Sequence, residues 1–344
     1  MIDFRYHLVS IVAVFLALAV GIIVGASALQ PQVVSGLRAE SQLEKKTNET
    51  LRTELSQLNQ QLVEDGLFAQ AASGYLLSHL LDGEQVVLVT APGADSQTVT
   101  GITSALHRAG ATVTGQVSLT AQFFDISKTT ESNLIALARS LAPAGISLPA
   151  ASAVGQIYGQ QAAAEVIAVA VVRADGPVTM TQQQSQAILG GFGQQGFLQV
   201  TGAAGGTTLS GQATLAVVVI PATPSGNASS QANLALVAVA HELQRSSAGV
   251  VLAGSLPGSG TGSAIDAVTS GAAGVVVSTI DNANTSTGQI MVVQALRLLL
   301  DPGASPAAYG AVPGAAPSPV PSTAPTPSPT PSVTRPASKP LVKS

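Results

Sequence analysis

Between Leu8 and Leu29 the chain runs for twenty-two residues, LVSIVAVFLALAVGIIVGASAL, without one charged side chain. At about 1.5 Å of rise per residue, a helix of this length crosses a hydrocarbon layer of about 30 Å. Its only hydroxyls, Ser10 and Ser27, can bond back to the helix's own carbonyls. The helix of a water-soluble core seldom stays uniformly apolar beyond about 14 residues. Residues 1–30 are therefore read as an N-terminal transmembrane anchor in contact with membrane lipid. Ala26-Ser27-Ala28 fits the small-residue pattern of a secretory cleavage site, but the apolar stretch exceeds the usual signal core of about 7–15 residues. That favours an uncleaved anchor. Arg5 and His7 ahead of the span favour a cytoplasmic N-terminus with the rest of the chain outside, although Arg38, Lys45 and Lys46 lie on the far side. Ala17, Gly21 and Gly25 recur every four residues, a small-residue stripe on which two membrane helices can approach closely.

After Pro31 the composition flips. Residues 31–66 carry ten of the thirty-two charged residues of the chain. Leu51, Leu55, Leu58 and Leu62 are spaced 4, 3, 4, as in a seam that repeats every seven residues. The same register places Asn48 at an a-type position, where a buried Asn can fix partner number. It also places Glu44 and Leu37 at d-type positions and leaves Leu43 outside the frame. Residues 31–66 are read as a coiled-coil stalk ending at Gly66, with a second copy or another envelope protein as partner. An amphipathic helix packed on its own domain is the alternative.

Residues 67–301 alternate β-branched runs with helical periodicity. Strands are expected at Gln85–Thr90, Thr112–Leu119, Glu165–Val172, Phe197–Thr201, Leu215–Ile220, Val250–Ala253 and Val275–Ser278. Helices are expected after Asp95 or Ser96 up to Gly110, and at Thr181–Gly190, Ser230–Ser246, Ala264–Ser270 and Gln289–Leu300. Runs such as VVLV, AVVVI and GVVV are apolar at every position, as strands covered on both faces are. The expected body is a mainly parallel, three-layer α/β structure. If it divided into two lobes, the Gly-rich stretch 190–211 would be the seam. From Pro302 the chain holds twelve of its twenty prolines. Residues 302–344 are read as a disordered, polyproline-like tail whose only charges are Arg335, Lys339 and Lys343.

Charged residues are only 9 % of the chain and aromatics 3 %, with a net charge of −4. Without a basic block or stacking rings, nucleic acid is not an expected partner. The chain has no cysteine, which removes disulfides, thiol catalysis and thiolate metal sites. His241-Glu242-Leu243-Gln244-Arg245 begins like the zinc motif H-E-x-x-H but places Arg, which only donates, at the second ligand position. His241 and Glu242 are read instead as the solvated edge of a core helix. Gly258-x-Gly260-x-Gly262 precedes a short helix, but the phosphate-loop lysine and full spacing are missing. A plain connector is the simpler reading. No G-x-S-x-G elbow and no paired carboxylates appear, so no enzyme is expected. A soft metal ion needs several thioether or imidazole ligands converging. Met1, Met180 and Met291, with His7, His79, His107 and His241, are scattered over different elements. His79 and His107 are the weak candidates, as ligands shared between copies.

The opening MIDFRYHLVSIVAVFLALAVGIIVGASAL and the later VVVSTIDNANTSTGQIMVVQAL, with the stalk and α/β body between them, resemble the actinobacterial MctB family. That family is named for a mycobacterial copper transport protein assigned to the outer membrane. The Pro-rich tail lies outside the resemblance. Asp281, Asn282, Thr285 and Gly288 belong to its more specific part and look like a strand end followed by helix-capping residues. The resemblance implies copper transport or efflux and copper homeostasis in the cell envelope, with copper ion as ligand and an outer-membrane association. Some relatives resemble instead a non-enzymatic partner of cell-wall assembly or division machinery. The residues resist a pore: one apolar span encloses no channel, and a membrane barrel needs many alternating strands of about ten residues.

Overall fold

In this computed structural model the described residues are 4–146, 148, 157–173, 180–203, 205–223, 230–256, 258–312 and 314–319, without side chains at 4, 5 and 26–39. The chain divides into two compact units, Met1–Asp65 and Gly66–Ser344.

The first unit is helical. It holds most of α1, Phe4–Leu77, whose described side chains from Tyr6 to Asp65 are all exposed. The helix does not stop at Gly66 as expected. An interior Gly costs about 1 kcal/mol relative to Ala, too little to end a helix whose next turns have a surface to cover. In the second unit those turns pack Ala69, Leu77 and the following Leu80 and Leu81 into the core. The true stop is His79, held at φ 64°, the one non-glycine residue with positive φ among the described residues.

The second unit is a single seven-stranded sheet between two helical layers. Its strands are β1 Gln85–Thr90, β2 Thr112–Leu119, β3 Leu198–Gly202, β4 Leu215–Val219, β5 Gly249–Ala253, β6 Ser278–Ile280 and β7 Ala308–Tyr309. The order is β3-β2-β1-β4-β5-β6-β7. All neighbours are parallel except β2 and β3. The sheet stays open, with β3 and β7 at its edges, so it is not a barrel. Residues 190–211 are no seam between lobes; they end one helix and form an edge strand of the one sheet.

Alternation along the apolar runs explains the layers. In β1, Val86 and Leu88 enter one core while Val87 and Val89 enter the other; β4 and β5 divide their residues in the same way. The helices α2 Ser96–Arg108 and α8 Ser286–Leu299 cover the first face. The second face is covered by α3 Lys128–Leu141, α4 Tyr158–Val171, α5 Gln182–Gln194, α6 Gln231–Arg245 and the short α7 Ala264–Thr269.

The expected strand Glu165–Val172 is wrong: this segment is the second half of α4. A short all-apolar run has no periodicity to separate a buried strand from a buried helix, and eleven of the fourteen residues of α4 are buried. Only Val172 keeps an extended pairing, a bridge to Ala213. The helix α3 adds an element that had not been expected. The last full strand lies at Ser278–Ile280, beyond the expected Val275–Ser278, and Val276 is 65 % exposed.

The tail also begins later than Pro302. Ala308–Tyr309 pairs in parallel with β6, and Ala316 bridges onto Tyr309. Residues 320–344 lie outside the described residues.

Candidate functional site

The strand order reverses between β1 and β4, and in open α/β sheets ligands bind where the carboxyl ends of such strands part. Here that crevice is closed. The N–H of Ala222 donates to the carbonyl of Gly93 at 2.9 Å, and that of Ala91 to Val219 at 2.9 Å. What remains is a cavity of about 190 Å³ lined by Ala91, Pro92, Ala121, Phe124, Pro221 and their apolar neighbours Ala232 and Leu236. Among the described residues no acid, base or nucleophile faces it.

The helix N-termini beside the crevice are capped by the chain's own carboxylates. Asp95 accepts from the N–H and hydroxyl of Thr98 at 2.8 and 2.7 Å at the start of α2. Those bonds, the Thr98 hydroxyl first, hold its carboxyl below the ordinary 3.8. Asp266 accepts from Gly262 N–H at 2.8 Å, so a carboxylate occupies the Gly258–Gly262 loop where a phosphate would have to sit. Gly262 also accepts through its carbonyl from the Asn233 side chain at 2.9 Å. The loop is a connector, as expected, and repels anions.

Glu242 corrects an expectation. It is not on a solvated edge; it is 2 % exposed. Arg245 Nη1 donates to its Oε2 at 2.8 Å and Gln161 Nε2 reaches its Oε1 at 3.4 Å, with His241 Nδ1 3.8 Å away. Burial pushes this carboxyl up, but His241, Arg245 and Gln161 together outweigh burial and leave it below its ordinary 4.5. Glu165 of α4 moves the other way, raised by burial and then by the charge of Glu242. Sequence reasoning missed this cluster because α4, which covers Glu242, had been read as a strand.

The structure scatters the soft ligands. Met291 is buried at 3 % in the core, Met180 packs against the opposite core, and Met1 lies outside the described residues. No group of three His, Cys, Asp or Glu suited to a metal occurs among the described residues. His79 and His107 lie on neighbouring segments: Leu81 N–H donates to Ala109 C=O at 2.9 Å, joining the turn that follows His79 to the end of α2, which carries His107. His79 is 83 % exposed at its side chain, and its Nδ1 lies 2.6 Å from Asp82 Oδ2, which leaves Nε2 free. A carboxylate on one ring nitrogen is the arrangement that orients metal-binding histidines.

Tyr6–Gly25 of α1 forms a twenty-residue stretch of mean hydropathy 2.9, with none of it buried. Nothing among the described residues covers this surface, and the segment is long and apolar enough to hold the protein at a membrane. Ala17, Gly21 and Gly25 are exposed within it. Further along α1, Asn48 is exposed, as are Leu51 at 52 %, Leu55 at 60 %, Leu58 at 55 % and Leu62 at 68 %.

The Asp281–Gln289 stretch is structural. Asp281 follows β6 and its two carboxylate oxygens accept from Ala311 and Val312 N–H at 2.9 and 2.7 Å. Thr285 caps α8 by accepting from Gly288 N–H at 3.0 Å, and Gly288 leaves room for the Asn282 carbonyl, which a Cβ would strike. These are the strand end and helix cap that the sequence indicated.

The comparisons with known proteins bear on this combination of apolar helix, open α/β body and pinned C-terminal strand. The family described as "Copper transport outer membrane protein, MctB" matches residues 1–320. The copper transporter MctB of Mycobacterium tuberculosis (strain ATCC 25618 / H37Rv) is 29 % identical over 309 residues, 88 % of this chain and 94 % of that protein. The copper transporter MctB of Mycobacterium leprae (strain TN) is 31 % identical over 306 residues, again 88 % of this chain and 94 % of that protein. With the match running from the apolar helix through the strand pinned by Asp281, the chain belongs to the MctB family of copper transport outer membrane proteins.

Proposed function

We propose that this chain is an uncleaved, single-pass protein of the cell envelope, its body extracytoplasmic, that serves copper transport and copper homeostasis. The observation that carries this reading is the family match over residues 1–320, joined to relatives named as copper transporters that align over 94 % of their own length. The exposed apolar helix Tyr6–Gly25 supports the anchoring, and the family's description adds association with an outer membrane. The open sheet encloses no pore, so in this reading the protein handles copper as cargo on its surface, non-enzymatically.

His79 is the residue on which the ion is met. Its backbone is held at φ 64°, which for a residue with a Cβ costs about 1–2 kcal/mol. Such strain gathers at sites where function requires it. Asp82 orients the ring and leaves Nε2 in solvent. One imidazole is too few for copper, so the ion is held between copies, by His79 with a second His79 or with His107. The exposed seam Leu51, Leu55, Leu58 and Leu62 supports the association that this needs.

The substitution His79→Gly tests the site, because Gly adopts positive φ without strain. The purified full-length protein in detergent is expected to keep its stability or gain about 1 kcal/mol, while Cu(I) binding in equilibrium dialysis falls at least about tenfold, the loss of a ligand in a two-ligand site. Unchanged copper binding removes His79 from the reading. A gene deletion that leaves growth in copper unaltered overturns the copper role itself. A second reading, a coiled-coil adaptor of cell-wall assembly or division machinery, draws on the same exposed leucines. Wall or chaining defects reproduced by Leu55→Asp and Leu58→Asp, with copper tolerance intact, would establish it instead.

A further inference from the structure

The aromatic rings of the second unit fall into two groups. Phe123, Tyr158, Phe192, Phe197 and Tyr309 are buried, and Phe124 packs against the core. Phe68 and Tyr75, on the last turns of α1, stand 76 % and 88 % exposed, with Leu67 at 60 % and Leu76 at 45 % beside them. Ala69, Ser73 and Leu77 mark the face of these turns that meets the body. At 3.6 residues per turn the two rings lie about 150° round the helix from that face. Residues 66–146 are all described, and none of them covers the rings.

Phe68, Ala71, Ala72 and Tyr75 stand at i, i+3, i+4 and i+7, the four positions that frame a hole for a side chain of a facing helix. Ala71 is exposed and Ala72 half-buried. Their small side chains let a second helix approach until the rings on either side of them are covered. Aromatic rings presented in this way concentrate at the centres of protein interfaces.

Three observations name the occupant. No Lys or Arg occurs between Arg52 and Arg108, whereas a helix face that rests on an anionic membrane surface carries them. The area suits two like faces. At about 150–250 Å² for each buried ring, four rings from two copies supply about 600–1,000 Å², and the leucines bring the total past the roughly 1,000 Å² of a specific interface. Finally, His79 follows Tyr75 by four residues, and its Nδ1 is held by Asp82 while the side chain stays 83 % exposed. Two chains anchored in one membrane by their N-terminal spans run parallel, so like positions lie level. Phe68 then meets Phe68 of the other copy and Tyr75 meets Tyr75, which sets the two His79 rings side by side.

We propose that the Phe68–Tyr75 face of α1 pairs in parallel with the same face of a second copy of this chain. The proposal rests on the reading of His79 as a shared copper contact, and it names the second ligand as His79 of the other copy rather than His107.

The chain has no cysteine, so a single introduced thiol reports contact between copies. Disulfides form where Cα atoms come within about 7 Å. Full-length Ala71→Cys protein in detergent, with a copper chelator present, is treated with oxidised glutathione. It is expected to give the linked dimer at least about tenfold faster than Gln97→Cys, a change at an exposed residue of α2. Adding Phe68→Glu and Tyr75→Glu to Ala71→Cys is expected to remove that difference, while the thermal melt stays close to wild type because both rings are exposed. Linkage at the Gln97→Cys rate overturns the proposal, whether the chain's own tail, lipid or detergent covers the face. Linkage that survives the two Glu substitutions overturns it too, since the rings then take no part. Equilibrium dialysis with Cu(I) separates the pairing from the copper reading. Linkage in a protein that binds no Cu(I) upholds the pairing and removes the copper reading. Cu(I) bound through His79 without the linkage does the reverse.

Discussion

At 1 % exposure the Asp281 side chain commits both oxygens to the N–H groups of Ala311 and Val312, fixing the last strand to the end of β6. Gly310 completes the contact. Its φ is 135°, and a Cβ there would come within bonding distance of the carboxylate. Hydrogen bonds to a charged group contribute about 1.5–3 kcal/mol each. Asp281→Ala is therefore expected to destabilise the body by about 3 kcal/mol in thermal or denaturant unfolding. Gly310→Ala should cost a comparable amount, and the double variant less than the sum, because both act on one contact. The sequence identified Asp281, Asn282, Thr285 and Gly288 as a strand end and cap. It did not disclose what Asp281 holds, since its partners lie thirty residues on, in a stretch that composition assigns to the tail. Glu242 was misjudged for a related reason. A carboxylate in an apolar helix looks solvated unless the second helix that covers it is recognised.

At the scale of elements, two helices on opposite faces of the sheet depend on carboxylates at their entries. Asp95 caps α2. Asp125 accepts from the hydroxyls of Ser127 and Thr130 and from Ser127 N–H, bracing the Ser127 cap of α3. Both carboxyls lie below their ordinary 3.8, held there first by the hydroxyl bonds of Thr98 and Thr130. A depressed folded-state pKa gives stability that is present above the unfolded value and lost as pH falls through the folded one. Glu242 acts in the same sense. Glu165 acts in the opposite sense: raised above 4.5 by burial and then by Glu242, it favours the fold below that pH and stops doing so as pH rises through its folded value. The melting temperature is expected to fall on acidification below about pH 4, less steeply in Asp125→Asn. Glu165→Gln is expected to remove the part of the pH dependence lying above 4.5. Thermal melts from acid to neutral pH check both. The strands β1, β4 and β5 were legible because their β-branched runs end at Gly or Pro, and β2 because its run opens just after Gly110. α4 was not, because a helix buried on all sides has no polar face to mark its period.

For the whole molecule, the exposed leucines of α1 set the clearest expectation. Four of them at heptad spacing stand more than half exposed, which a partner helix would relieve. Leu55→Asp with Leu58→Asp is expected to lower the self-association of the full-length protein in sedimentation by at least one subunit. The cooperative melt of the body should stay within about 0.5 kcal/mol of wild type, as for surface changes outside any packed contact. An unaltered sedimentation coefficient would remove the seam as an interface.

What sequence alone decided was whatever depends on local composition and short periods: the charge-free apolar helix, the heptad-spaced leucines, the doubly covered strands and the caps. These follow from the transfer of apolar groups out of water and from main-chain hydrogen bonding within a few residues. Tertiary structure alone decided that residues 165–171 are helical, that Glu242 is buried, and that Ala308–Tyr309 joins the sheet. Each of these is set by a neighbour far away in the chain, whose approach removes water or supplies a bond that no local pattern records.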